Sequence, residues 1–343
     1  MAHVVLDLND LRPIFGRPEW LGDQVRAVLP AGWSLAVLDT PAEGTGDGSS
    51  AAHPQVLAEV ADARVYMGFG ISPDVLTAGP ALGWVHTGSA GVGSSLTPEL
   101  RSRDLVFTNS AGIHGPPMAE AVLGMILHFS RGFDLAVRSQ ARGTWDTAPF
   151  YASDSPLREI SGSTVGILGL GGIGREVADR VRPLGARILG LKRTPGGVPE
   201  GVEGVFGEEG FHRLLEESDF VVVTAPDTPA TRGMMDRKAF ERMKPGAVFV
   251  NVARGKIADE DALVDALRTG RLRGAGLDVF AREPLAPDHP LWTLDNVLIT
   301  PHVSPVTDRF WRREADLILH NLEAFLAGKP EEMRNVVDIE AGY

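Results

Sequence analysis

Short apolar runs alternate with amphipathic stretches along most of this chain. In its first part, Val4–Leu8, Ser34–Leu38, Arg64–Phe69 and Trp84–Thr87 predict strands. Pro41–Ser50, rich in Gly, Ser and Thr, reads as a mobile surface loop. From Pro117 to about Ala141 the apolar residues Ala119, Val122, Leu123, Ile126, Leu127 and Phe129 recur at helical spacing. They predict one long helix, a candidate connector between domains. Beyond it, strands at Ser163–Leu168, Arg187–Leu191, Phe220–Thr224, Ala247–Asn251, Gly274–Asp278 and Val297–Ile299 are expected. Helical patterns at Ile173–Leu184, Gly210–Glu217, Asp236–Met243 and Asp259–Thr269 separate them. Strands alternating with helices imply a parallel sheet covered on both faces. A last helical pattern, Asp308–Leu326, follows the final strand. It is expected to pack back on the N-terminal half and make that domain discontinuous.

Composition narrows this picture. A chain of 343 residues suits two domains, and 43% hydrophobic with 23% charged residues is ordinary for a soluble globular protein. The net charge of −12 argues against nucleic acid or an anionic membrane as partner, while leaving room for a local basic pocket. With no cysteine, disulfides and thiolate chemistry are excluded. The opening Met1-Ala2-His3-Val4-Val5-Leu6 has no basic stretch and reads as a strand, not a signal peptide. No apolar run approaches the roughly eighteen residues of a membrane span. A cytoplasmic protein with no metal centre is the expectation.

Candidate chemistry enters with Gly169-Leu170-Gly171-Gly172-Ile173-Gly174. A GxGxxG motif is weak by itself in a chain with 40 glycines. This one directly follows an apolar strand and opens a helix, the context that a dinucleotide-binding loop requires. Gly169 permits the tight turn, Gly171 lets the backbone approach a pyrophosphate, and Gly174 lets helix and strand pack closely. Free N–H groups at the helix start, around Gly172 and Ile173, would meet the phosphates. At the end of the next strand, an NAD site places an acid for the ribose 2′-hydroxyl. Here Lys192, Arg193 and Thr194 stand instead, and Arg193 suits a 2′-phosphate. NADP is therefore expected to be preferred, with NAD possible.

Two more segments complete a constellation. Arg254, in Asn251-Val252-Ala253-Arg254-Gly255, follows a strand whose carboxyl end is where ligands of open α/β sheets sit. Its guanidinium suits a carboxylate. His302, in Thr300-Pro301-His302, would be an ordinary turn residue on its own, but Glu283 upstream supplies a carboxylate to orient it. A carboxylate at one ring nitrogen fixes the tautomer and favours imidazolium. Such a histidine can give a proton to a carbonyl oxygen as hydride arrives at its carbon.

With these motifs the chain resembles the D-isomer-specific 2-hydroxyacid dehydrogenase family over nearly its whole length, most specifically from Gly162 to Pro305. The resemblance implies two Rossmann-like, doubly wound parallel-sheet α/β domains, one flavodoxin-like and one dinucleotide-binding, with a cleft between them. Residues 1–109 plus 307–343 would form the substrate domain and 110–306 the dinucleotide-binding domain. It further implies that Arg254 binds the substrate carboxylate and keto oxygen, that His302 is the general acid–base and that Glu283 is its partner. Asp278 would contact the nicotinamide carboxamide; Ala225, Pro226 and Thr231 would lie beside the adenosine. Val252 and Ala253 would also line the cofactor. The cations at 192 and 193 resemble the NADPH-dependent glyoxylate/hydroxypyruvate reductase branch.

Upstream, Gly68-Phe69-Gly70 and Ala90-Gly91 look like the family's substrate-side loops, whose N–H groups would hold a carboxylate. Gly93 stands where many relatives carry Asp, and Met67-Gly68-Phe69 lacks polar side chains found in some, so substrate size and polarity stay open. For His114 a loop-structural role stands beside a site-lining one. The family's long helix is a dimer contact, which implies a homodimer. The expected activity is hydride transfer between NAD(P)H and a small 2-keto acid or D-2-hydroxy acid. The competing reading is a nicotinamide-sensing binding protein or co-repressor on the same fold. Glu283, where formate enzymes of the superfamily use Gln, argues against formate.

Overall fold

The computed structural model describes residues 2–40, 52–340 and 342, so the loop expected at Pro41–Ser50 lies outside the described residues. The chain divides into two compact units, Met1–His114 with Val306–Tyr343, and Gly115–Pro305.

The first unit runs β1 (Ala2–Asp7), α1 (Glu19–Val28), β2 (Trp33–Val37), α2 (Pro54–Val60), β3 (Val65–Gly68), α3 (Pro73–Ala78), β4 (Trp84–Thr87), α4 (Pro98–Arg101) and β5 (Val106–Asn109). Its five strands are all parallel, in the order β2-β1-β3-β4-β5. This is the flavodoxin-like order, with its switch point between β1 and β3. Ser72 and Thr97 cap α3 and α4, each followed by a proline at the first helical position.

The second unit begins with α5 (Gly115–Ser130), α6 (Phe133–Ala141) and α7 (Ala148–Tyr151). Then come β6 (Thr164–Leu168), α8 (Gly172–Val181), β7 (Arg187–Lys192), β8 (Glu203–Phe206), α9 (Gly207–Glu217), β9 (Phe220–Val223), α10 (Arg237–Arg242), β10 (Ala247–Asn251), α11 (Glu260–Arg268), β11 (Leu272–Leu277) and β12 (Val297–Ile299). Seven parallel strands lie in the order β12-β11-β10-β9-β6-β7-β8. The direction of winding reverses between β6 and β9, and the Gly169 turn leaves β6 at that point. Central strands are buried on both faces, so β9 reads Phe-Val-Val-Val without alternation.

The chain returns to the first unit as α12 (Phe310–Leu326). Phe310, Trp311, Ile318 and Leu322 join Val4, Leu6 and Trp84 in one core.

The single helix expected over Pro117–Ala141 is two. α5 ends at Ser130, and Gly132 adopts φ 69°, where a side chain would run into Leu157. That left-handed residue breaks the ladder and restarts it as α6. Two short strands, β5 and β8, were not expected, each having only two or three apolar residues in sequence. β5 ends on the buried polar pair Thr108 and Asn109, and β8 carries a glycine at the sheet edge.

Candidate active site

The nucleotide loop has the geometry that its glycines require. Gly169 turns at φ 108°, with Ala225 Cα lying 2.8 Å from where a Cβ would be. A Cβ on Gly174 would overlap the Gly169 carbonyl oxygen, so helix and turn pack without room for any side chain. On Gly171 a Cβ would meet nothing within 4 Å, which leaves an open backbone face. Gly171 N-caps α8 without a side-chain hydrogen bond, leaving the first N–H groups available to an anion. Gly172 is exposed and Ile173 half-buried. Thr224 Oγ1 donates to Gly169 O at 2.7 Å and fixes the loop to the end of β9.

Where β7 ends, Lys192 is half-buried and donates to Gly196 O, while Arg193 and Thr194 are exposed. The sequence reading missed a third cation there. Arg175, on the first turn of α8, donates to Gly197 O at 2.7 Å. Its signal was its place directly after the last glycine of the motif. Ala225 is buried and Pro226 exposed beside this loop. Thr231 Oγ1 is engaged inside its own turn, donating to Pro226 O and accepting from Thr228 N–H at 2.9 Å.

His302 and Glu283 meet. His302 Nδ1 lies 2.7 Å from Glu283 Oε2, with both side chains about one-third exposed. Glu283 Oε1 accepts the Phe280 N–H at 2.9 Å, so both carboxylate oxygens are used and the group is held in place. The other imidazole nitrogen, Nε2, takes no part in this contact. His302 adopts φ 54°, a left-handed conformation that histidine tolerates better than most residues. Its N–H donates to Asp278 O at 2.9 Å.

Asp278 is fully buried and holds the His302 turn with its carboxylate. It accepts from Thr300 Oγ1 (2.6 Å) and the N–H groups of Val303 (2.9 Å) and Ser304 (3.0 Å).

Arg254 follows β10 and its Nη1 donates to Ala253 O at 2.8 Å. Asn251, nearly fully buried, accepts from Ala253 N–H and donates to Arg254 O, which fixes the turn. Val252 and Ala253 are buried, Val252 in the core beneath α5. A Cβ on Gly255 would overlap the Phe280 carbonyl carbon. The Arg254 turn therefore rests directly against the turn that leads to Glu283.

In the first unit, Gly68 and Gly70 are buried and Phe69 is half-buried. The Gly70 N–H donates to Thr87 Oγ1 at 3.0 Å, so it is committed within the unit. Ala90 is exposed and its carbonyl accepts from Asn109 Nδ2 at 2.8 Å; Gly91 follows, half-buried. His114 stacks on Phe310 at 5.6 Å. Among the described residues, no group of His, Asp or Glu side chains could hold a metal ion, and no helix is long and apolar enough to cross a membrane.

Residues 123–304 match the family model described as the NAD binding domain of D-isomer specific 2-hydroxyacid dehydrogenases. The human glyoxylate reductase/hydroxypyruvate reductase is 35% identical over 256 residues, covering 74% of this chain and 76% of that protein. A D-3-phosphoglycerate dehydrogenase of Methanocaldococcus jannaschii is 32% identical over 289 residues, 83% of this chain, but this chain spans only 53% of that protein's length. Among solved structures, a D-isomer specific 2-hydroxyacid dehydrogenase from Xanthobacter autotrophicus Py2, in complex with NADPH and MES, superimposes with a TM-score of 0.78. It is 31% identical, with 100% of this chain and 99% of that one covered.

Proposed function

Because this chain belongs to the D-isomer-specific 2-hydroxyacid dehydrogenase family, and is thus an NAD(P)-dependent oxidoreductase acting on CH–OH groups, we propose that it is an NADPH-dependent reductase of small 2-keto acids of the glyoxylate/hydroxypyruvate kind. The observation that carries this reading is the 2.7 Å contact between His302 Nδ1 and Glu283 Oε2, which leaves Nε2 to serve the substrate.

The residues at the dinucleotide loop fit the cofactor. Gly171 presents an open backbone face, α8 offers uncapped N–H groups to a pyrophosphate, and no acid stands at the end of β7. Lys192, Arg193 and Arg175 form a cationic neighbourhood suited to a 2′-phosphate. The relative from Xanthobacter autotrophicus was solved with NADPH. When bound, the cofactor supplies hydride to the substrate's keto carbon.

In this reading His302 Nε2 holds the proton that passes to the keto oxygen. Glu283 keeps the ring in orientation through its contact at Nδ1. Arg254 binds the substrate carboxylate with a bidentate fork. Asp278 acts by shaping the His302 turn, and the N–H groups around Phe69, Ala90 and Gly91 serve the carboxylate. Exposed Phe133, Val137, Trp145 and Tyr151, crowded into one stretch of chain, favour a homodimer. A cytoplasmic location, where NADPH is supplied, belongs to the same reading.

A panel of glyoxylate, hydroxypyruvate, pyruvate and phenylpyruvate assayed with NADPH and with NADH tests activity, substrate class and cofactor together. Turnover of a 2-keto acid with NADPH is the expected result. Tight NADPH binding with no turnover of any of them would reject the reductase and favour a binding protein.

A further inference from the structure

The turn that carries Glu283 is also held from outside, by a carboxylate that the reaction does not use. Glu260 is the first residue of α11. Its Oε1 accepts the Ala281 N–H at 2.6 Å, and its Oε2 lies 3.5 Å from His289 Nε2. His289 Nδ1 accepts the Leu291 N–H at 3.3 Å, so the ring hydrogen sits on Nε2 and faces Glu260. Both side chains are about four-fifths buried, 19% and 20% exposed.

This contact is not spent on the helix. Asp259 already caps α11 by accepting the Ala262 N–H at 3.0 Å. The inner side of the same turn rests on Gly255. Two consecutive N–H groups thus meet two different carboxylates: Phe280 donates to Glu283 itself, and Ala281 donates to Glu260. With Glu260 gone, the Ala281 N–H must find water and the turn can rotate there. Glu283 Oε1 then loses the fixed anchor that aims Oε2 at His302.

We infer that Glu260 is a positioning residue for the Glu283–His302 pair, with His289 holding the Glu260 side chain in place. The inference rests on the acid–base reading of His302.

The test uses the full chain without ligand. The hydrogen-bonded Nδ1–H proton of His302 is followed by NMR at one fixed pH, its signal assigned by its loss in His302→Ala, in wild type, Glu283→Gln, Glu260→Ala and Glu260→Gln. The kcat and KM of the last two are measured alongside. Glu283→Gln should shift or abolish that signal. Glu260→Ala should shift it in the same direction by less, and reduce kcat on the order of tenfold through misplacement, with the cofactor KM unchanged. Glu260→Gln keeps a carbonyl oxygen for Ala281 and should recover most of both. If Glu283→Gln moves the His302 signal and Glu260→Ala leaves it and kcat unchanged, the inference is overturned while the acid–base reading stands. If Glu283→Gln leaves the His302 signal unmoved, the acid–base reading that rests on their contact falls, and the inference with it.

Discussion

His86 Nε2 lies 2.9 Å from Glu314 Oε1, with neither side chain exposed at all. The contact joins β4 to α12 within one core. Each remaining polar atom has a partner. Ser110 Oγ donates to Glu314 Oε2 at 2.7 Å; His86 Nδ1 meets Thr108 Oγ1 at 2.8 Å, and Trp84 Nε1 donates to the same oxygen at 2.9 Å. Deleting one member strands the others away from water. Glu314→Ala should therefore cost about 3–5 kcal/mol, read as a fall in the urea midpoint. A loss under about 1 kcal/mol, the size of an exposed pair, would show that the pair is not sealed from solvent.

Replacing His302 with Ala should cost about two to four orders of magnitude in kcat, because it removes the imidazole that, in the proposed reading, hands a proton to the keto oxygen. The melting temperature should move little, since the side chain is about one-third exposed. Wild-type turnover in this variant would remove the histidine from the mechanism.

Cofactor choice is testable at the end of β7. Arg193→Ala combined with Arg175→Ala should reduce kcat/KM for NADPH by at least about 10–100-fold, the loss expected for even one charge-assisted contact worth roughly 1.5–3 kcal/mol. The value for NADH should stay within a few-fold. Equal losses with both cofactors would mean that these arginines serve the loop and not the 2′-phosphate.

The motifs of the second unit were legible because their chemistry is local. The glycines of residues 169–174 sit between a strand and a helix, and a reader needs only the adjacent sequence to see it. Glu283 and His302 were also legible, since each stands a few residues past an expected strand and the two together suit an oriented acid–base pair. Arg175 was not, because its one signal, a place directly after the last glycine of the motif, does not tell a helix-surface arginine from one aimed at residue 197. The Glu260 clamp on Ala281 and the Asp278 clamp on residues 300–304 were equally hidden, because they are contacts made by folding. The break at Gly132 was missed for a different reason. The apolar periodicity runs through it, and the left-handed backbone of Gly132 with Leu157 close by is set only by folding.

Two glycines of the nucleotide loop should fail in different ways. Gly174→Ala puts a methyl group into the Gly169 carbonyl oxygen, so it should destabilise the fold by about 1–3 kcal/mol and weaken NADPH binding together. Gly171→Ala meets nothing in the protein and should leave the melting temperature unchanged while lowering NADPH affinity, followed by cofactor fluorescence. Undiminished NADPH affinity in Gly171→Ala would mean that the pyrophosphate does not lie over that residue.

Asp7 gives the first unit a pH-dependent term. At the end of β1 it pairs in register with Gly68 and accepts from Tyr66 Oη at 2.8 Å and Thr40 Oγ1 at 3.1 Å. Burial pushes its pKa up from 3.8 to about 6, outweighing the two hydrogen bonds and the nearby His53 and Arg17, which pull it down. The folded state thus holds this proton more tightly than the unfolded chain does. The resulting stability is fully present below pH 3.8 and is lost as pH rises through about 6. Two pH units of displacement amount to about 3 kcal/mol. Asp7→Asn carries no such titration, so its stability relative to wild type should improve steadily from pH 4 to pH 7, read from urea midpoints at each pH. A difference between the two proteins that stays constant over that range would place the Asp7 titration elsewhere.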